Sequence, residues 1–301
     1  MGNSVDVKGG VFALGNFDGV HRGHVLVAEA AVARARELGV AAHALTFEPH
    51  PRAFFQPGLP PFRLTPQASK ERLLKARGLG DVVTLRFDAD LAQLSAQDFA
   101  EKILAEKLRA KHIVAGHDFA FGRGREGTMA KLAEWLTPYG IGITEIASLG
   151  DSTPYSSTRI RDLLRAGDVQ GAAEMLGRDW SIAGTVIKGE QRGRTIGVPT
   201  ANIALGDYLR PQFGVYAIRA GRVGETLSYK GVANIGVRPT VGGVSENLEG
   251  HLFDFNEDIY GQEWEFALTR FLRPERKFTG LDKLKAQIAK DIEAAKQTFA
   301  V

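Results

Sequence analysis

The amino-acid sequence predicts an α/β domain built on a doubly wound parallel sheet, followed by a small antiparallel β-barrel with a terminal helix. Three observations carry this. Over the first 180 residues, short apolar runs alternate with longer stretches of helical periodicity, which is the pattern of β-α-β crossovers. Beyond that point the apolar runs are separated by Gly-punctuated turns instead of helices, as in barrel strands. A chain of 301 residues is also longer than one core usually serves.

In order, strands are predicted at VFALGNF (11–17), VAAHALTF (40–47), DVVTLRF (81–87), HIVAG (112–116) and IGITEIA (141–147). Between them, helical patterns occupy 22–38, 69–77, 95–110 and 128–140. Two short helices follow over 156–178, and then the strands WSIAGTVIKG, GVYAIRAG, LSYKGVANIGV, LEGHLFDF and WEFALTRFL. The segment 281–299 is amphipathic, and its Lys283, Lys285 and Lys290 read as a solvated face. The change of pattern divides the chain into 1–182 and 183–301, with FFQPGLPPF (54–62) read as a mobile loop.

Composition narrows the classes. Hydrophobic residues are 44% and charged residues 24%, ordinary for a globular protein. A net charge of +3, with Lys and Arg scattered, gives no sign of a nucleic-acid partner. With no cysteine in the chain, disulfides, thiolate metal sites and a Cys nucleophile are excluded. No apolar run reaches membrane-spanning length, and MGNSVDVKGG lacks the features of a signal peptide. The expectation is a cytoplasmic protein without a membrane partner, a monomer or transient oligomer.

GNFDGVHRGH (15–24) stands where the first strand gives way to the first helix. Free N–H groups and the positive helix end attract anions there, and glycines such as Gly15 and Gly23 let a phosphate approach the backbone. His21 and His24, three apart, share one face of the first helical turn. No Walker lysine accompanies them, so the pair suits charge on an α-phosphate in nucleotidyl transfer. In YSSTRIR (155–161), Ser156, Ser157 or Thr158 caps the next helix while Arg159 and Arg161 offer guanidinium donors to a triphosphate. In GEQRGRTIGVPTANI (189–203), Gly189, Gly193 and Gly197 bound basic turns. Thr200 and Asn202 there, two apart on extended chain, are neutral oxygen ligands suited to Mg²⁺ on a nucleotide phosphate. On the strand LEGHLFDF, Glu249, His251, Phe253 and Phe255 alternate onto one aromatic face.

His21-Arg-Gly-His24 together with SSTRIR resembles the His-x-Gly-His nucleotidyltransferase superfamily. With TFEPHP (46–51), GHDFAFGRGREG (116–127), GRTIGVPTAN, GVANIGVRPT and ENLEGHLFDFNEDIYG in order, the chain resembles bacterial bifunctional riboflavin kinase/FAD synthetases from residue 10 to 297. The resemblance implies a doubly wound nucleotidyltransferase domain and a riboflavin kinase barrel, with ATP and Mg²⁺ as co-substrate and cofactor, and FMN and FAD as products.

It implies phosphorylation of riboflavin to FMN, then transfer of AMP to FMN. Gly15, Asn16, Phe17 and Asp18 form the phosphate loop, His21 and His24 act on ATP phosphates, and Ser157, Thr158 and Arg159 hold pyrophosphate. Asp118 and Phe119 contribute to the nucleotide or flavin pocket, with flavin binding the assignment carried forward, and Ala120 departs there from the family's frequent basic residue. Glu249 is the kinase base, Thr200 and Asn202 bind Mg²⁺, and Asn234, Arg238, Pro239 and Thr240 form a flavin-side loop. Gly250 replaces a usually larger residue, which predicts a more flexible strand. A chain with one activity, or a flavin- or nucleotide-binding regulator, fits the same motifs.

Overall fold

The computed structural model describes residues 7–148, 155–188, 199–240 and 243–300, with only the backbone at 238–240, 243 and 244. The chain packs as two compact units, Met1–Pro60 with Thr65–Ser156, and Pro61–Leu64 with Ser157–Val301.

In the first unit β1 (Val11–Leu14), β2 (Ala42–Glu48), β3 (Asp81–Arg86), β4 (His112–Gly116) and β5 (Gly142–Ile146) form a parallel sheet in the order β3-β2-β1-β4-β5. Neighbouring residues of β1 serve opposite faces. Val11 and Ala13 pack with Val27, Ala28, Ala31 and Ala35 of α1 (Arg22–Leu38). Phe12 and Leu14 join the other core. The further α-helices of the first unit are α2 (Pro51–Phe55), α3 (Gln67–Lys75), α4 (Ala89–Gln93), α5 (Ala96–Asp98) and α6 (Met129–Leu136). α5 continues as π-helical turns over Phe99–Lys107, and these turns join α6 in covering the Phe12 face. Gly39 stops α1 in the left-handed conformation, φ 65°.

The chain winds outward from β1 to β3 and returns to β4 on the other side of β1. Strand order therefore reverses between β1 and β4, and ligands of open parallel sheets bind beyond the strand ends at such a reversal. The loops after β1 and β4 are GNFDGVH and HDFAF.

The second unit contains α7 (Ser157–Arg165), α8 (Val169–Leu176), β6 (Trp180–Thr185), β7 (Ala201–Ala204), β8 (Gly214–Arg222), β9 (Tyr229–Thr240), β10 (Gly243–Leu252), β11 (Glu263–Pro274) and α9 (Leu281–Thr298). Its strands pair antiparallel in the order β6-β11-β8-β9-β10-β7. The sheet nearly closes, because Ile187, just past β6, donates its N–H to the Asn202 carbonyl of β7 at 2.9 Å. Trp180, Ile182, Tyr216, Ile218, Leu248 and Phe266 fill its interior. α9 lies on the outer face, with Ala295 and Ile292 against Val215, Ala217 and Val232.

Three features differ from the sequence reading. A strand absent from the predicted set, β7, runs through the end of the PTAN stretch. α7 and α8 pack with the second unit, so the compact unit starts at Ser157, ahead of the 182/183 division. Periodicity registers a change of element type, whereas packing registers which core an element joins. FFQPGLPPF is not loose throughout: Phe54 and Phe55 pack edge-on against Phe87, and Phe62 is 6% exposed with its carbonyl accepting from Arg161 Nε at 2.9 Å.

Two buried histidines shape the pH response. Burial holds His43 and His112 below the usual imidazole value; Asp81 partly opposes this at His43, and at His112 Arg34 reinforces it while Glu37 opposes it. The unfolded chain therefore binds more protons in mild acid, so stability is complete above about pH 6.5 and is lost as pH falls through the depressed folded values. The urea midpoint at pH 5.5 should lie below that at pH 7.5, and a His43→Gln/His112→Gln variant should narrow the difference. An unchanged difference would refute the assignment.

Candidate active sites

The loop after β1 is held from both ends. Phe17 and Val20 take positive φ values of 51° and 41° and are buried, which locks two side chains under a tight turn. Asp18 is 2% exposed, and its Oδ1 accepts from Thr65 N at 3.0 Å, while Thr65 Oγ1 accepts from Gly19 N at 2.8 Å. The Asp18 carboxylate is thus engaged in fixing the loop.

His21 is the N-cap of α1, its Nδ1 accepting from His24 N at 3.4 Å. An accepting Nδ1 places the proton of the neutral ring on Nε2, which becomes the donor. The His21 and His24 rings stack at 3.7 Å and 18°, so the structure brings the pair together as the spacing requires. Gly23 permits this, since a Cβ there would meet His21 Cε1 at 3.1 Å. The first turn of α1 carries no acidic residue, leaving its positive end uncompensated for an anion.

Lys70 is a residue the sequence reading missed. It is 1% exposed, and its Nζ donates to Thr46 Oγ1 at 3.1 Å and to the Asn16 carbonyl at 3.4 Å. The signal was available, because Lys70 lies four residues before buried Leu74 on the inward face of α3. Across the reversal, Phe119 N closes a turn onto Gly116 O at 2.9 Å, and its ring stacks on Phe121 at 5.5 Å. Asp118 is exposed and Phe119 and Ala120 are half-buried. His50 in TFEPHP caps α2, accepting from Arg52 N at 3.1 Å.

On α7, Thr158 and Arg159 are exposed and Ser157 is half-buried. Arg161 does not project beside Arg159. It is 5% exposed, bound to the Phe62 carbonyl, with its guanidinium 5.4 Å from the Phe62 ring centre.

The barrel holds a cavity of about 320 Å³, lined by Thr200, Asn202, Leu252, Phe255, Asp258 and Tyr260 among others, within the range of small-ligand sites. Asn202 is 2% exposed; its Nδ2 faces the Thr200 carbonyl at 3.5 Å, and its Oδ1 has no partner among the described residues. A buried bare carbonyl oxygen costs about 1–3 kcal/mol, a cost that a bound cation or donor removes. Among the described residues no three His, Asp or Glu side chains converge as metal ligands. Neutral oxygens at Thr200 and Asn202 therefore fit a hard cation whose negative ligands come from phosphate.

Register places Glu249 opposite Asn202 of β7 on one side and Asn234 of β9 on the other. Paired residues project from one face, so a carboxylate sits between two carboxamides. His251, two residues on, meets the Pro199 carbonyl through Nδ1 at 2.9 Å, and because a carbonyl only accepts, that nitrogen carries the proton. Asn256, Asp258 and Tyr260 belong to the cavity loop and were not singled out in the sequence. Gly189, Gly193 and Gly197 lie outside the described residues, as do the side chains of Arg238, Pro239 and Thr240.

Residues 4–159 match the family described as FAD synthetase, and residues 176–299 the riboflavin kinase family. A bifunctional riboflavin kinase/FMN adenylyltransferase of Escherichia coli K12 is 39% identical over 98% of this chain and 94% of its own length. The chain belongs to the bifunctional riboflavin kinase/FMN adenylyltransferase family. The Haemophilus influenzae relative of the same name is 40% identical over 97% of this chain and 95% of its own. A Streptococcus pneumoniae crystal structure described as a macrolide-efflux protein matches with TM-score 0.82 and 33% identity, over 96% of this chain and 94% of that one. That description stays with the pneumococcal protein. No helix among the described residues is long and apolar enough to cross a membrane.

Within this family member, Gly250 does not loosen β10. It is buried, and a Cβ there would meet Phe266 Cε1 at 2.6 Å. Gly250→Ala should lower the thermal midpoint, at a cost of about 1–3 kcal/mol, and Phe266→Leu should recover part of the loss in the double variant. A Gly250→Ala protein as stable as the parent would contradict this packing.

Proposed function

We propose that the chain makes FMN and then FAD. Residues 183–301 transfer the γ-phosphate of ATP to the 5′-hydroxyl of riboflavin, and residues 1–182 transfer AMP from ATP to FMN with release of pyrophosphate. The observation that carries this reading is the row Asn202–Glu249–Asn234 beside a cavity with a bare Asn202 oxygen.

The ribityl hydroxyl is a neutral alcohol and needs a base. Glu249 takes its proton as the oxygen bonds to the γ-phosphorus and the bond to the β,γ-bridging oxygen breaks, releasing ADP. Thr200 and Asn202 supply oxygens for Mg²⁺, which when bound adds positive charge at the ATP phosphates. Gly189, Gly193 and Gly197 are assigned to the nucleotide, and Asn234, Arg238 and Thr240 to the flavin.

The phosphate of FMN is already anionic, so its attack on the α-phosphorus needs alignment and charge stabilisation rather than a protein base. Donors from His21 and His24, and the loop Gly15, Asn16, Phe17 and Asp18 with Gly23, serve the phosphates. Asp118 and Phe119 contact the flavin. Ser157, Thr158 and Arg159 are assigned to pyrophosphate on the SSTRIR motif, and the buried Arg161 holds the segment at Phe62. The protein works in the cytoplasm on these small molecules, as a monomer or transient oligomer, without nucleic acid or membrane.

Incubation with riboflavin and Mg-ATP, followed by chromatography, should yield FMN and FAD; neither product would favour a binding regulator. Glu249→Gln should slow FMN formation by about 10²–10⁴-fold while added FMN still becomes FAD. His24→Ala should accumulate FMN. Loss of both activities in either folded variant would overturn the two-site assignment. Asn202→Ala should move the Mg²⁺ dependence of FMN formation to higher concentration and leave FAD formation from FMN unaltered; an unmoved dependence would remove Asn202 from the metal site.

A further inference from the structure

We infer that Glu275 is a positioning residue for riboflavin phosphorylation, acting through Asn234. The inference rests on the kinase reading above. Asn234 Nδ2 donates to Glu275 Oε1 at 3.2 Å. Glu275 directly follows β11, whose end is clamped to α9 by Arg273, with Nε and Nη2 donating to Asp291 at 2.8 and 2.6 Å. Its carboxylate lies over β9 at Gly236, where a Cβ would stand 1.8 Å from Oε1. A side chain at position 236 would have to displace the carboxylate from this place.

An amide can ordinarily present either its oxygen or its nitrogen to a site, and the two differ by a rotation that costs little. A carboxylate partner removes that choice, since an ionised carboxylate only accepts. Glu275 therefore fixes the NH₂ of Asn234 towards itself and turns Oδ1 the opposite way. Asn234 is the cross-strand partner of Glu249 on the same face. An accepting oxygen is then presented beside the base, where a hydroxyl must be held before its proton is taken. The reversed amide would instead donate to Glu249 and compete with the substrate for the lone pair that does the chemistry.

Glu275 is exposed and contributes little to stability in the free protein. Its effect is on catalysis, and it strengthens as a flavin covers the face and displaces water. Glu275→Ala should lower kcat/KM for riboflavin by about tenfold, with KM for ATP, FAD formation from added FMN and the thermal midpoint unchanged. Glu275→Gln keeps an accepting oxygen and should restore most of the loss. In an Asn234→Ala background, Glu275→Ala should have no further effect. Riboflavin kinetics unchanged in Glu275→Ala, or an equal loss with and without Asn234, would overturn the inference. A wild-type chain that forms no FMN would instead bring down the kinase reading, and this inference with it.

Discussion

Each candidate site hangs from a strand that is hydrogen-bonded along both edges, and this double pairing is the constraint on which the chemistry depends. β1 lies between β2 and β4, and β10 between β9 and β7. A strand paired on one side can slip or fray, whereas one paired on both cannot shift register without breaking two ladders and turning its side chains to the wrong face. The position of Glu249 between Asn202 and Asn234 is thus a property of the sheet. The same holds for the loop that leaves β1, because its first residue, Gly15, is still held by the Leu45 carbonyl at 3.2 Å.

Rigidity of the scaffold leaves the polar groups to be sorted. In the first unit several polar groups around the loop after β1 are engaged with one another: Asp18 by Thr65, Lys70 by Asn16 and Thr46, and Thr46 Oγ1 by the Asn16 carbonyl at 3.2 Å. At the start of α1 the two imidazoles stack on each other, with His21 only 6% exposed. A charged lysine buried this deeply is costly unless its protons are satisfied, and one of its acceptors here, the Asn16 carbonyl, lies on the loop. The loop conformation and the burial of Lys70 therefore stand or fall together.

Much of the fold was legible because it is periodic. The five parallel strands and α1 fall where alternation and helical spacing place them, and the His21–His24 contact follows from a three-residue spacing on one helical turn. β7 was not legible as a strand. At four residues, with Ala201 and Ile203 facing one side and Asn202 the other, its pattern is too short to separate from a turn. The inward turn of Arg161 escaped for a different reason. Its acceptor is a backbone carbonyl 99 positions away, and nothing in YSSTRIR distinguishes an arginine awaiting a phosphate from one already bound to the chain. Glu275 escaped likewise, since its partner is set by tertiary register rather than by neighbours in sequence, whereas the inward position of Lys70 could have been read from the helical spacing to Leu74.

Three of the side-chain contacts that the sequence did not show share one physical role. In each, a charged group engages a neutral one: Arg161 the Phe62 carbonyl, Lys70 the Asn16 carbonyl, Glu275 the Asn234 amide. Motifs mark groups that meet the substrate, whose chemistry dictates their type and spacing. Groups that hold those residues in place need only the right charge at the right point in space, and many positions in a chain can supply it. Charge-assisted hydrogen bonds suit the task, being shorter and roughly twice as strong as neutral ones. A single such contact fixes a loop carbonyl in place or sets the orientation of a carboxamide that would otherwise turn. Lys70 and Glu275 lie outside the recognisable motifs, so part of the positioning in each unit is carried by side chains that no motif marks.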